Sequence, residues 1–398
     1  MRVGVVKEAF PGERRVALVP GVIPTLAKAD CDLLIEAEAG AEAGYPDALY
    51  AEHGARIAAA RAEVFAQADA VIQVLGYGAN LATGQADLPL LRRDQILIGF
   101  LDPLAAPAAI REVAATGAAA FAMELMPRIT RAQSMDALSA MATVIGYKAV
   151  LMAAAALPRM FPMLMTAAGT VTPARALIIG AGVMGLQAIA TARRLGAVVS
   201  GYDIRPAAKE QILSMGARFV ELPLETSAAQ DERGYARVQD EGFYRRQREL
   251  LGRVVAESDV VITTAVVPGS KAPVLITAEM VAGMPPGSVV VDLAAERGGN
   301  CELTRAGETV MSHGVSILGP VNLASTVPYH ASQLYARTAA AFLVHLAKTG
   351  RSGRNLEDEI TRETLVTHGG EVVQPRVRRA LGLDPLATDP PGAGQGGF

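Results

Sequence analysis

The chain has 398 residues, 51% of them apolar, and a formal net charge of −3. That length predicts two domains, each with enough apolar material for a sizeable core, and the lack of a basic excess argues against a nucleic-acid partner. Its two cysteines, Cys31 and Cys301, lie far apart and offer neither a disulfide framework nor a zinc-ligand spacing. They read as buried, reduced thiols of a cytosolic protein.

Met1 runs directly into the strand-like RVGVV, which leaves no room for a signal peptide. The first third then alternates strand-like and helix-like pieces: Arg2–Val6, Ile23–Ala29, Cys31–Glu36, Tyr50–Ala60, Ala70–Leu75 and Ile96–Phe100. The rhythm continues through Pro107–Ala115 to Ala119–Leu125 and predicts a parallel sheet with helices on both faces. This lobe carries no glycine fingerprint of its own. Its charged loop, Lys7–Arg15, sits where such sheets present functional residues.

Polar chemistry gathers next in Met123–Tyr147, where Arg128, Arg131, Gln133, Asp136 and Ser139 fall between an apolar strand and an apolar helix. Asp136 and Ser139, three apart, share a helix face. Gln133 and Asp136 stand at the mouth of that helix, where an amide and a carboxylate can bond a nicotinamide carboxamide and ribose. Arg128 would neutralise Asp136 and add planar donors. A solvated, charged helix cap accounts for the same residues equally well. The following stretch, Met135–Leu157, is long and largely apolar, but Asp136 and Lys148 interrupt it. Charge in mid-span is costly in lipid, so a buried helix between domains is preferred to a membrane span. Phe161–Thr172, punctuated by Gly169, reads as an apolar hairpin. Exposed, it would be a liability, so a second copy of the chain is expected to cover it.

The most informative stretch is Ala174–Arg205. An apolar strand, Ala176–Ile179, leads into G-x-G-x-x-G at Gly180, Gly182 and Gly185, then a helix, then a second apolar run ending on Asp203. Gly180 permits the tight turn, Gly182 lets the backbone approach a pyrophosphate, and Gly185 lets helix pack on strand. The helix N-terminus adds free N–H groups and the positive end of its dipole. Asp203 follows Gly185 by 18 residues, the usual place for the acid that holds the adenosine ribose. Its charge would repel a 2′-phosphate, favouring NAD(H) over NADP(H). Val183, Met184, Ile204, Arg205 and Val266 complete the predicted cofactor set.

Later strands are predicted at Arg218–Glu221, Asp259–Thr264, Ser288–Leu293 and Val315–Leu318. Between the first two of these lies the polar stretch Glu225–Glu249, a functional flap or a disordered segment, with a helix expected within Glu241–Val255. Tyr329–Lys348 is a final long helix returning the chain to the first lobe. The resulting fold class is α/β: two Rossmann-like, doubly wound parallel-sheet domains joined by long helices. The first comprises residues 1–135 plus 330–383, the second 136–329, with a Pro- and Gly-rich disordered tail over 384–398. No Ser-His-Asp, Cys-His or metal-ligand cluster stands out in the sequence.

The segments ELMPRITRAQSMD (Glu124–Asp136), FPMLMTAAGTVTPAR (Phe161–Arg175), GLQAIATARRLGAVV (Gly185–Val199) and VDLAAERGGNCE (Val291–Glu302) carry a resemblance. Together they resemble the NAD(H)-binding alpha subunit (domain I) of Re/Si-specific, proton-translocating NAD(P) transhydrogenase, within the alanine dehydrogenase/transhydrogenase superfamily. The match runs from Arg2 to about Pro320, and RxxRAQSMD is its specific segment. The resemblance implies a homodimer, peripheral on the cytoplasmic face of the inner membrane. Its partners would be membrane-spanning subunits and an NADP(H)-binding domain. It implies that Arg128, Gln133, Asp136 and Ser139 surround the nicotinamide, with Gln133 reaching toward the partner's nucleotide. Gly234 and Tyr235 would belong to a mobile loop that closes over NAD(H).

The residues support that reading from their own side. The chain has one dinucleotide fingerprint and no evident proton donor or nucleophile, and hydride passing directly between two nicotinamides needs neither. The rival is an alanine dehydrogenase-like enzyme, whose family shares the opening KEAFPGERRVALVP. That family uses a lysine and a histidine on its substrate, and here Gln73 and Asp102 take their places. A non-catalytic NAD-binding module is a third possibility, against which the intact Arg128–Asp136 set counts.

Overall fold

The computed structural model describes residues 1–224, 239–266, 271–349 and 356–386. In chain order, the strands are β1 (Arg2–Val5), β2 (Asp32–Glu36), β3 (Arg56–Ala58), β4 (Ala70–Leu75), β5 (Ile96–Phe100), β6 (Ala119–Ala122), β7 (Leu164–Thr166) and β8 (Gly169–Val171). They continue with β9 (Arg175–Ile179), β10 (Val198–Tyr202), β11 (Arg218–Phe219), β12 (Val260–Thr263), β13 (Val289–Asp292), β14 (Thr309–Ser312), β15 (Val315–Leu318), β16 (Leu365–His368) and β17 (Glu371–Val372). The chain divides into two compact units, Met1–Met141 with the chain from Ala324 on, and Ala142–Leu323.

The first unit is built on one sheet of order β17-β16-β6-β5-β4-β1-β2-β3. Strands β1 to β6 run parallel, so their sequential order is 3-2-1-4-5-6, the doubly wound arrangement. The sheet is not parallel throughout. β16 joins β6 antiparallel and β17 folds back on β16. The apolar runs are strands because both faces are covered: Val71, Ile72, Leu97 and Ile98 are almost wholly buried. Tyr50–Ala60 is two elements, a helix Asp47–Glu52 and the strand β3, separated at Gly54 with φ 92°. The left-handed backbone there ends the helix without strain on glycine. The predicted long helix spans Pro328–Thr349.

The second unit has its own sheet, β11-β10-β9-β12-β13-β15-β14, parallel except for the β14–β15 hairpin. Read along the chain from β9, the order is again third, second, first, fourth, fifth. The strand order reverses between β9 and β12, which makes the carboxyl ends of those two strands the topological switch point. The helix Ala137–Ala156 spans the boundary between the units. It is long and apolar enough to cross a membrane by length and composition. Its apolarity serves packing in the second unit, where Ala149, Val150, Ala153 and, just beyond it, Leu157 form a helical stripe in the core. At Gly146 the backbone of this helix comes so close to the fingerprint helix that an added Cβ would lie 2.2 Å from the Met184 carbonyl oxygen.

The predicted hairpin is β7 with β8, a separate antiparallel pair. It leaves Met163 57% and Met165 78% exposed. The polar stretch ends in the helix Glu241–Ala256, capped by Asp240, whose carboxylate accepts from the Phe243 N–H. Residues 225–238, including Gly234 and Tyr235, and the tail from 387 on lie outside the described residues.

Candidate functional site

Two of the three fingerprint glycines, Gly180 and Gly185, are required by the fold itself. Gly180 has φ 97°, and a Cβ there would fall 2.3 Å from Thr264 Oγ1. At Gly185 a Cβ would come within 1.8 Å of the Gly180 carbonyl oxygen, so only glycine lets the helix Val183–Arg194 sit on β9. Gly182 differs from both. Its backbone is ordinary, φ −73° and ψ −173°, and a Cβ there would meet nothing within 4 Å. Internal packing does not require this glycine. An open face at the N-terminus of a twelve-residue helix, with no acid in its first turn, is what a close-lying pyrophosphate requires. Val183 beside it is 40% exposed, and Met184 is half-buried.

Asp203 ends β10 beside this turn. Its Oδ2 accepts from the Ala181 N–H at 2.7 Å, and its Oδ1 accepts from the Arg205 N–H at 2.8 Å. The Arg205 guanidinium adds two contacts to the same carboxylate, from Nε at 3.0 Å and Nη2 at 2.8 Å. Two carboxylate oxygens offer about four lone-pair positions, and these four donors take them all. A ribose hydroxyl must therefore replace the Arg205 side chain to reach Asp203. The pairing holds the Arg205 guanidinium above its ordinary pKa, through the hydrogen bond to Asp203 first. Ile204 between them is half-buried against the core of the unit.

On the other side of the switch point, Thr264 donates to the carbonyls of Ile179 and Gly180. Asn300 bonds both backbone groups of Ala265, which fixes the loop leading to Val266, 38% exposed. Asp292, fully buried, accepts from Thr263 Oγ1, Thr304 Oγ1 and the N–H groups of Ala294 and Cys301. Sequence reasoning passed over Thr264, Asp292 and Asn300. Their only signal was a place in or beside the strand ends that a doubly wound sheet devotes to ligands.

The second predicted constellation belongs to the first unit. Met123–Leu125 and Thr130–Met135 are short 3₁₀ helices after β6, of one and two turns. Ala132 and Met135 anchor the second of these by burial, leaving Arg128, Arg131 and Gln133 exposed. Asp136 Oδ1 accepts from the Ser139 N–H at 2.8 Å and its Oδ2 from Ser139 Oγ at 2.6 Å. The two residues therefore cap the helix that begins at Ala137, which is the bland half of the expectation made structural. Arg131 Nη1 reaches Asp358 Oδ1 at 2.6 Å.

A further polar cluster of this unit lies around the ends of β1 and β4. Glu8 accepts from the N–H groups of Val74 and Leu75 at 2.6 and 3.1 Å, and burial pushes its carboxyl up to about 8. Arg15 is tied to Glu13 through Nε at 2.8 Å and Nη2 at 2.6 Å, with the two side chains 4% and 0% exposed. Gln73 donates to Asp87, which also holds Arg61. A cavity of about 10 Å³ is lined in part by Glu8, Glu13, Arg14 and Arg15, enough for roughly one water.

Residues 4–145 match the family described as "Alanine dehydrogenase/PNT, N-terminal domain", and residues 149–375 match "Alanine dehydrogenase/PNT, C-terminal domain". An NAD(P) transhydrogenase subunit alpha polypeptide of Rhodospirillum rubrum is 43% identical over 378 residues, covering 94% of this chain and 98% of that protein. The solved transhydrogenase structure from Sinorhizobium meliloti superposes with a TM-score of 0.81 at 42% identity, over 94% of this chain and 99% of that one. An alanine dehydrogenase from Halomonas elongata is 30% identical, over 96% of this chain and 98% of its own length. Matched along both of its units, the chain belongs to the alanine dehydrogenase/PNT family.

Proposed function

We propose that the chain is the NAD(H)-binding subunit of a Re/Si-specific, proton-translocating transhydrogenase. NAD(H) would be held in the second unit: pyrophosphate against Gly180, Gly182, Val183, Met184 and Gly185, adenosine ribose on Asp203 with Ile204 and Arg205 alongside, and the loop ending at Val266 facing the other half of the dinucleotide. The observation that carries this reading is the open face of Gly182, a glycine the fold itself does not need. The identities to transhydrogenase alpha subunits support the same role.

When bound, the nicotinamide supplies a hydride that leaves its C4 with two electrons and enters the C4 of NADP⁺, so NADH becomes NAD⁺ as NADP⁺ becomes NADPH. The protein's task is then to position two rings and exclude water. Arg128, Gln133, Asp136 and Ser139 are the residues assigned to that task, with Tyr235 closing over the site and Gln133 turned toward the partner's nucleotide. The NADP(H) would be carried by a separate domain, and proton movement by membrane-spanning subunits. The chain would then sit peripherally on the cytoplasmic face of the inner membrane. The exposed β7–β8 hairpin, with Met163 and Met165 on its surface, is assigned to a homodimer contact.

The amino-acid dehydrogenase reading meets three obstacles in the first unit. Gln73 cannot supply a cation, Asp102 would repel a substrate carboxylate, and Arg15 is already neutralised by Glu13. The deciding experiment mixes the purified chain with an isolated NADP(H)-binding transhydrogenase domain, without membranes. NADH should then reduce an NADP⁺ analogue. Reductive amination of pyruvate by NADH and ammonia, with no transfer between nucleotides, would establish the rival instead.

A further inference from the structure

The turn Thr130–Met135, which carries Gln133, has a charged tether to a distant stretch of the chain. Arg131 Nη1 donates to Asp358 Oδ1 at 2.6 Å, across 227 residues of sequence. Asp358 is only 9% exposed and holds several donors at once. Its Oδ2 accepts from the Thr361 N–H at 2.9 Å, from Thr361 Oγ1 at 3.0 Å and from His345 Nε2 at 2.9 Å. It thereby caps the helix Glu359–Thr364 and joins it to the helix Pro328–Thr349. These hydrogen bonds hold its carboxyl well below the ordinary carboxylate range, against the opposing effect of burial.

A half-exposed arginine paired to a carboxylate adds little stability in itself. Its importance here is geometric. A carboxylate fixed by three donors from two helices is a rigid point, and Arg131 transfers that rigidity to a turn anchored by the burial of Ala132 and Met135. We propose that Asp358 is a positioning residue for hydride transfer. With His345 behind it, it holds Arg131 so that Gln133 is presented in one place. The inference rests on the role assigned to Gln133 above.

Asp358→Asn is the discriminating variant, since asparagine also caps helices well while losing the ionic hold on Arg131. It is compared with Arg131→Ala, Arg131→Lys, the Arg131→Ala/Asp358→Asn double variant and Gln133→Ala, each as the full chain mixed with the NADP(H)-binding domain. Asp358→Asn and Arg131→Ala should each slow hydride transfer by about tenfold or more, leave NADH affinity unmoved, and show no further loss when combined; the melting temperature should hold in Arg131→Ala and fall in Asp358→Asn, which gives up the charge that His345 and Thr361 also hold. Arg131→Lys should recover most of the rate. If Gln133→Ala slows transfer while Asp358→Asn and Arg131→Ala run at the parental rate, the tether is refuted and the role of Gln133 stands. If Gln133→Ala also runs at the parental rate, that role fails and takes the tether's function with it. A fall in melting temperature and NADH affinity matching the fall in rate would reduce Asp358 to a structural cap.

Discussion

Gly182→Ala separates the binding chemistry of the fingerprint from its folding. The backbone at this position, φ −73° and ψ −173°, is open to alanine, and the new methyl group would meet nothing within 4 Å. Replacing glycine where alanine fits removes freedom from the unfolded chain, worth about 0.4–1 kcal/mol, while alanine is the poorer residue at this N-cap; the two effects offset, and stability should stay within about 1 kcal/mol of the parent. The methyl would stand in the space proposed for the pyrophosphate. A ten- to hundredfold loss of NADH affinity is expected, about 1.4–2.8 kcal/mol. Gly185→Ala makes the contrast, because its methyl would come within 1.8 Å of a main-chain oxygen and the helix could not keep its seat. Titration calorimetry with NADH and scanning calorimetry of the free protein report the two quantities separately. Parental NADH affinity in a stable Gly182→Ala protein would refute the assignment of the pyrophosphate to this turn.

Three further outcomes follow from other regions of the molecule. Asp203→Ala should weaken NADH binding by about 1.5–3 kcal/mol, the usual worth of hydrogen bonds to a charged group. It should also improve NADPH binding, because it releases Arg205 from its pairing with the carboxylate; an unchanged NADH-to-NADPH ratio in competition titrations would exclude Asp203 from the ribose. Glu124 is held up to about 7 from 4.5 by burial, with its Oε2 buried and unpaired. Its protonated form is thus favoured in the folded state, and the associated stability is complete below 4.5 and lost as pH rises through 7, by up to about 3 kcal/mol. Glu124→Gln should make the fall of the melting temperature between about pH 5 and 7 shallower, leaving the share of the similarly raised Glu8, and a profile as steep as the parent's would assign the slope to Glu8 instead. Met165→Glu, at the most exposed methionine of the hairpin, should give monomers in light-scattering chromatography if the hairpin forms the dimer contact; an unaltered dimer would remove the hairpin from that role.

The sheets were legible in the sequence wherever a strand is covered on both faces, because a continuous apolar run such as Ala176–Ile179 has no other stable home. β14, β16 and β17 escaped it. β14 alternates exposed and half-buried residues at a sheet edge, and β16 pairs with β6 across more than 240 positions, a distance that carries no local pattern. At the site, spacing alone located the glycines and Asp203. It could not foresee that Arg205 fills the Asp203 carboxylate, since two residues at i and i+2 past a strand end look like separate solvated charges. Asp136 and Ser139 were readable as a pair from their helical spacing, and the structure uses both in capping. Asp358 was invisible because its meaning lies in Arg131, in a different stretch of the chain.

Both units share one strand order, so topology alone would grant each a nucleotide site at its switch point. The side chains at the first strand's end decide otherwise. In the second unit that end is a glycine turn whose Gly182 faces open space, and the donors around it remain available to an anion. In the first unit the corresponding turn begins Lys7–Glu8, and Glu8 itself takes the N–H groups of Val74 and Leu75 at the end of the neighbouring strand. Arg15, the buried cation of the same loop, is committed to Glu13. Among the described residues, the end of β9 is thus the better suited of the two to the proposed dinucleotide. If NADH is held there, as proposed, its hydride needs an acceptor on another polypeptide or on a separate substrate. The neutral Gln73, the anionic Asp102 and the pairing of Arg15 with Glu13 suit a carboxylate substrate poorly, which accords with the proposed acceptor on another polypeptide.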